Sequence, residues 1–159
     1  MTWVRRTTSG PQTQLAGEQF VKVLRAGDVV LLNGSLGAGK TTFVQGAARA
    51  LGVSERVTSP TFTVVRQHQC HNAGSITTLH HADIYRVEQV DEIIDLAISE
   101  LVEEDAVALV EWGELAGANF GSQVLIVDFS FIDDDIRDLT VSGSLSAQRR
   151  FELDAWVAS

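Results

Sequence analysis

The chain has one cysteine, two prolines and no long apolar run in its 159 residues. Each shortage excludes something. Cys70, standing alone, cannot close an intrachain disulfide, so the sequence fits a reducing compartment rather than a secreted, cross-linked scaffold. Only Pro11 and Pro60 interrupt it and no Gly/Ser-rich tract occurs, so residues 1–159 are expected to form a single domain. Runs such as Val29-Val30-Leu31-Leu32 fall far short of the roughly 20 apolar residues a membrane helix needs. No apolar signal core follows the basic residues near the N-terminus. Together these absences predict a cytoplasmic protein with no membrane association.

Lysine is scarce too, with only Lys22 and Lys40. The net charge of −9 is unevenly divided. Residues 1–80 carry eight Lys/Arg against three Asp/Glu (+5), and residues 81–159 carry four against eighteen (−14). Two solvated faces of different charge are the plainer reading. The functional one has the basic half surrounding bound phosphates and the acidic half meeting a basic partner. So acidic a chain lacks the positive field that autonomous nucleic-acid binding needs.

The residues that are present alternate between strand and helix patterns. Thr13–Arg25 places Leu15, Phe20, Val23 and Leu24 near helical spacing, with Gly27 beyond as a stop. Val29–Asn33 reads as a buried strand, and Thr41–Leu51 as a helix with Phe43, Val44, Ala47, Ala48 and Leu51 inward. Further strands are expected in Thr61–Gln67, Ile76–Ile84, Ala106–Trp112, Val124–Phe131 and Ile136–Ser142, and an amphipathic helix or two short ones over Glu88–Glu104. With the glycine-rich segment Gly34–Thr41 placed as a phosphate loop between the first buried strand and its helix, the expected fold is α/β: a single P-loop NTPase-like domain whose central parallel or mixed β-sheet carries helices on both faces.

Between the first buried strand and the next helix stands Gly34-Ser35-Leu36-Gly37-Ala38-Gly39-Lys40-Thr41. Glycines at these positions let successive backbone N–H groups turn inward around an anion, and the following helix adds its positive end. Lys40, read as an exposed loop lysine, supplies charge for the β- and γ-phosphates. Thr41 offers a hydroxyl to Mg²⁺, and Thr42 stands near the α-phosphate. Chance would produce this spacing in a chain of this size on the order of one time in a hundred. The expected ligand is therefore ATP with Mg²⁺.

A second metal ligand usually comes from an acid at the end of a buried strand, and Val107-Ala108-Leu109-Val110-Glu111 offers Glu111. In a strand His81, Asp83 and Tyr85 share one face. That row could orient water, bind Mg²⁺ through water or form a structural hydrogen-bond network, and the residues alone leave these open. His68, Cys70 and His71 are too tightly spaced for a structural zinc pair, so His68–Ser75 is expected to be a solvated hairpin loop. Trp112 reads as a packing residue, and Trp3 and Trp156 carry no functional signal.

Four blocks in this order, GSLGAGKTT (34–42), SPTFT (59–63), HADIYR (81–86) and VEWGE (110–114), resemble the TsaE family of small bacterial ATPases. That family serves the threonylcarbamoyl modification of adenosine beside the tRNA anticodon. The resemblance covers about 10–142. It implies Lys40, Thr41 and Thr42 as phosphate and metal contacts, with Gly37, Ala38 and Gly39 in the same loop, and Glu111 as the Mg²⁺-associated acid. It also implies a part in hydrolysis for Asp83 and a switch-like loop around Thr61 beside the γ-phosphate. Thr13 resembles a threonine near the nucleotide, and Arg137 a late arginine near the base. The implied partners are the TsaB–TsaD pair, with tRNA reached indirectly through them. Gly113 stands where relatives often have proline, and the tail beyond Ser142 is left unassigned.

Two other readings remain at this stage. A small-molecule kinase would need an arginine-bearing lid, for which Arg66 and Arg86 are the candidates. A non-catalytic nucleotide-gated module would make Asp83 purely structural.

Overall fold

A strand that is apolar on both faces belongs inside a sheet. Strand β2 (Val29–Asn33) is of this kind, with Val29, Val30, Leu31 and Leu32 all buried. The computed structural model describes residues 1–60, 65–83, 104–111 and 124–159. In it β2 is the middle of a seven-stranded mixed sheet. The other strands are β1 (Trp3–Thr7), β3 (Val65–Gln69), β4 (Thr78–Asp83), β5 (Ala106–Glu111), β6 (Leu125–Phe131) and β7 (Arg137–Gly143). Their order is β1-β7-β6-β2-β5-β4-β3. Strands β4, β5, β2 and β6 run parallel, while β3–β4, β6–β7 and β1–β7 pair antiparallel.

Three described helices accompany the sheet: α1 (Gly10–Phe20), α2 (Lys40–Ala50) and α3 (Ala147–Ala158). Helix α1 starts earlier than the apolar spacing suggests. The Ser9 hydroxyl accepts from Gln12 N at 3.2 Å and Pro11 occupies the first turn, a strong N-terminal signal. Its buried face is Thr13, Ala16, Gly17 and Phe20, whereas Leu15 is exposed. The helix ends at Phe20 and a 3-10 turn, Val21–Val23, carries the chain on. Helix α2 falls within one residue of its expected bounds.

Helices α1 and α2 approach closely through two glycines. A Cβ on Gly17 would stand 2.0 Å from the Phe43 carbonyl oxygen, and one on Gly46 would stand 1.8 Å from that of Gln14. Behind this contact Phe20, Phe43 and Phe129 stack in tilted and edge-on pairs, their centroids 5.4 and 5.6 Å apart. They share one core with Val30, Leu32, Val107, Leu109, Val127, Leu139 and Val141 of the sheet. Each fully buried Phe or Leu there contributes about 1.5–3 kcal/mol. Leu31, Ala108 and Val110 alternate to the opposite face and are buried as well.

Two segments carried no reading, and one expectation needs correction. The N-terminal five-residue strand β1 gave no sequence signal, because its inward positions are Trp3, Arg5 and Thr7. The tail beyond Ser142, left unassigned by the sequence, packs against the core through a helix. Ser146 caps α3, and Trp156 is buried against Phe20 with its Nε1 donating to the Ala16 carbonyl at 2.9 Å. Trp3 and Trp156 are thus core residues. Finally, His68 lies in β3, buried, with Nδ1 2.5 Å from Glu55 Oε1. Only Cys70–Thr77 connects the hairpin, and His71 N donates to the Leu51 carbonyl at the end of α2. The helix expected over Glu88–Glu104 lies outside the described residues, as do Thr61, Tyr85, Arg86 and Trp112.

Candidate functional site

Parallel strands present their carboxyl ends together, and the loops leaving them form a crevice at that edge. Here the glycine loop leaves β2 and enters α2. Gly34 has φ +149°, and a Cβ on it would meet Phe129 at 3.0 Å. Gly39, the residue before α2, has φ +102°, and a Cβ on it would lie 3.3 Å from the Thr13 methyl. A residue with a side chain would be strained at both places. No side chain caps α2, so its first-turn N–H groups face the crevice.

Lys40 is buried rather than exposed, which corrects the sequence expectation. Its Nζ donates back to the carbonyls of Gly34, at 2.5 Å, and Ser35, at 3.1 Å. The ammonium is thereby stationed at the mouth of the loop instead of sweeping through solvent.

The acids come from neighbouring strands. Parallel pairing sets Leu32 of β2 opposite Glu111 of β5, and Glu111 opposite Asp83 of β4. All three stand on the α2 side of the sheet. Glu111 is buried, its Oε1 accepting from Thr41 Oγ1 at 2.8 Å and its Oε2 lying 2.5 Å from His81 Nε2. Asp83 Oδ2 accepts from Ser59 Oγ at 2.9 Å. A cavity of about 250 Å³ is lined by Leu36–Thr42, Ser59, Asp83 and Glu111. Gly37, Ala38, Gly39 and Thr42 also line a second cavity, of about 220 Å³, with Ser9, Gly10, Thr13, Asp135 and Arg137.

Thr13 and Arg137 are held firmly there. Thr13 is buried, its hydroxyl 2.8 Å from Thr7 Oγ1. Arg137 Nη1 donates to the carbonyls of Asp133, Asp134 and Ile136, and its guanidinium stacks 3.8 Å over Phe131. The structure therefore brings Thr13, Gly37, Ala38, Gly39, Lys40, Thr41, Thr42, Asp83, Glu111 and Arg137 to two cavities that share one loop. Arg66, a candidate for a kinase lid, is exposed on β3 and is not among the described residues that line either cavity.

One contributor was missed by sequence reasoning, and another was found without its partner. Ser59 sat within a recognised block, but nothing local pointed its hydroxyl at Asp83. His81 was placed on the right face, yet its partner is thirty residues away. Only the β4–β5 register reveals that pair.

The donor set suits a hard, small cation. Thr41 and Glu111 supply oxygen, and no group of three or more His, Cys, Asp or Glu side chains gathers to hold a metal among the described residues. Magnesium is commonly held by one or two protein oxygens, with substrate phosphates and water completing its shell.

A glycine loop between a central parallel strand and a helix, with acids at the ends of the next two strands on one side, defines an α/β protein of the P-loop NTPase-like class. Comparison with known proteins narrows this. The family model described as "Threonylcarbamoyl adenosine biosynthesis protein TsaE" matches residues 7–139, and the chain belongs to the TsaE family. It is 37% identical over 135 residues to the tRNA threonylcarbamoyladenosine biosynthesis protein TsaE of Bacillus subtilis, covering 85% of this chain and 82% of that one. To the TsaE protein of Streptomyces coelicolor it is 41% identical over 132 residues, covering 80% and 87%. The crystal structure of Bacillus subtilis YdiB superposes with a TM-score of 0.75 at 27% identity, covering 99% of this chain and 95% of that one. The structural likeness thus extends past residue 139 into α3.

Proposed function

We propose that this chain is a Mg²⁺-dependent ATPase that supports threonylcarbamoyladenosine modification of tRNA, acting in the cytoplasm with a TsaB–TsaD pair. One observation carries the catalytic part: Lys40, Thr41, Asp83 and Glu111 line one cavity around the glycine loop. The process is supported by family membership.

In this reading the N–H groups of Gly37, Ala38, Gly39 and Lys40 cradle the phosphates, and the Lys40 ammonium leaves its carbonyl partners to meet the terminal phosphate. Thr41, with Glu111 next to it, would hold Mg²⁺, which would supply positive charge to the phosphates of the nucleotide. Asp83, steadied by Ser59, orients the attacking water. Thr61, two residues beyond Ser59, senses the γ-phosphate. Arg137 and Thr13 hold the nucleoside end. The net charge of −9 leaves tRNA contact to the partners.

The test is phosphate release from ATP with and without Mg²⁺ and the TsaB–TsaD pair, for the wild-type chain and Lys40→Ala. Mg²⁺-dependent release that rises with the partners and collapses in Lys40→Ala is the expected result. ATP consumption seen only while a metabolite becomes phosphorylated would replace this reading by a kinase.

A further inference from the structure

We infer that His81 is a positioning residue for Glu111: its ring fixes which carboxylate oxygen faces Thr41 and the nucleotide-bound cation. The inference rests on the Mg²⁺-dependent reading above.

A carboxylate buried away from water needs its oxygens hydrogen-bonded, and a terminal carboxylate torsion is broad unless something ties it. Glu111 is tied at both ends. Oε1 takes the Thr41 hydroxyl at 2.8 Å, and Oε2 meets His81 Nε2 at 2.5 Å. A carboxylate offers only lone pairs, so the ring must donate from Nε2. His81 Nδ1 is buried and has no hydrogen-bond partner among the described residues, so nothing there competes to turn the ring. The imidazole is itself fully buried, at 0% exposure, and cannot swing away.

Geometry explains why this residue serves. His81 stands opposite Leu109, and Asp83 opposite Glu111, in the parallel β4–β5 register. His81 therefore reaches diagonally along the face to Glu111, leaving the directly opposite position to Asp83. One strand face thus carries both the acid beside the attacking water and the clamp on the metal-side acid. With Oε2 occupied by His81, Oε1 alone is presented towards Thr41. The role requires an N–H at the Nε2 position and a filled volume, and does not depend on ring charge. Outer-shell partners of this type typically contribute about 10–100-fold to metal affinity or activity.

The experiment measures binding of a fluorescent ATP analogue in Mg²⁺ and in EDTA. His81→Gln keeps an N–H near the Nε2 position, and His81→Met fills space without a donor. His81→Met is expected to lose about tenfold or more of the affinity gained from Mg²⁺. Its affinity in EDTA should be unchanged, and His81→Gln should retain most of the gain. A folded His81→Met with the full wild-type gain overturns the inference alone. A wild-type chain whose affinity ignores Mg²⁺ overturns both the inference and the reading beneath it. If His81→Met does not fold, the unsubstituted chain decides through its long-range ¹H–¹⁵N imidazole spectrum. An Nε2–H tautomer whose signal shifts on adding Mg²⁺ to the nucleotide complex supports the inference. An Nδ1–H tautomer, or a signal that Mg²⁺ leaves in place, overturns it.

Discussion

The backbone carbonyl of Gln14 in α1 occupies the space where a side chain on Gly46 of α2 would begin, 1.8 Å from the position of a Cβ. Gly17 returns the arrangement against the Phe43 carbonyl at 2.0 Å. Backbone cannot yield as a flexible side chain does, so the two helices are locked at this separation. The lock reaches the site, because α1 carries Thr13 and α2 begins at Lys40.

Gly46→Ala and Gly17→Ala are therefore each expected to destabilise the fold by about 1–3 kcal/mol, through forced separation of the helices. Urea denaturation would measure this. A Gly46→Ala protein as stable as wild type would show that the helices slide apart freely.

Ser59 and Asp83 form a testable unit. Asp83→Asn keeps the shape but removes the charge, so nucleotide affinity should hold while turnover falls about a hundredfold or more. Ser59→Ala leaves the acid in place but unsteadied, and a smaller fall of about tenfold is expected. Wild-type phosphate release from Asp83→Asn, with the partner pair present, would remove Asp83 from the chemistry.

Trp156 makes α3 part of the core. It packs edge-on against Phe20 with centroids 5.6 Å apart, and the Arg5 guanidinium lies over the Trp156 ring, 5.3 Å from its centroid. Burial lowers the pKa of the Arg5 guanidinium, which donates to the Trp156 carbonyl at 2.9 Å. Trp156→Ala is expected to cost about 3–5 kcal/mol, read from chemical denaturation. A loss below about 1 kcal/mol would mean that the helix is dispensable to folding.

Cys70 gives a pH prediction. Burial pushes its thiol from 9.0 up to about 11. The unfolded chain therefore releases this proton first as pH rises. The stabilising contribution is complete below pH 9.0 and is lost progressively as pH climbs towards about 11. Because the thiolate is the reacting species, alkylation at pH 8 should be slow in the native protein and much faster in urea. Equal rates in the two states would contradict the burial argument.

The glycine loop, the strand before it and the helix after it were legible because their determinants are consecutive in the chain. Val29–Asn33 was bounded correctly from its apolar run alone, and α2 to within one residue. Strand β1 was not legible. Arg5 points inward, and the group that makes this tolerable, the Trp156 carbonyl, lies 151 residues away. Helix α3 escaped for the same reason: its inward residues are only Leu153 and Trp156, and their partners belong to the other end of the chain. His68 reads as a loop residue by composition, yet pairing with β4 buries it.

The sequence by itself determined the loop chemistry, because spacing within eight consecutive residues sets which N–H groups, which ammonium and which hydroxyl stand together. It also marked Glu111 as a strand-end acid and Asp83 as one of a polar row on a strand face. Tertiary structure decided what those acids touch. Parallel pairing of β4 with β5 and of β5 with β2 brought Glu111 to Thr41 and His81 to Glu111, and the chain path after α2 brought Ser59 to Asp83. Register is a relation between strands, and no single segment of the chain contains it.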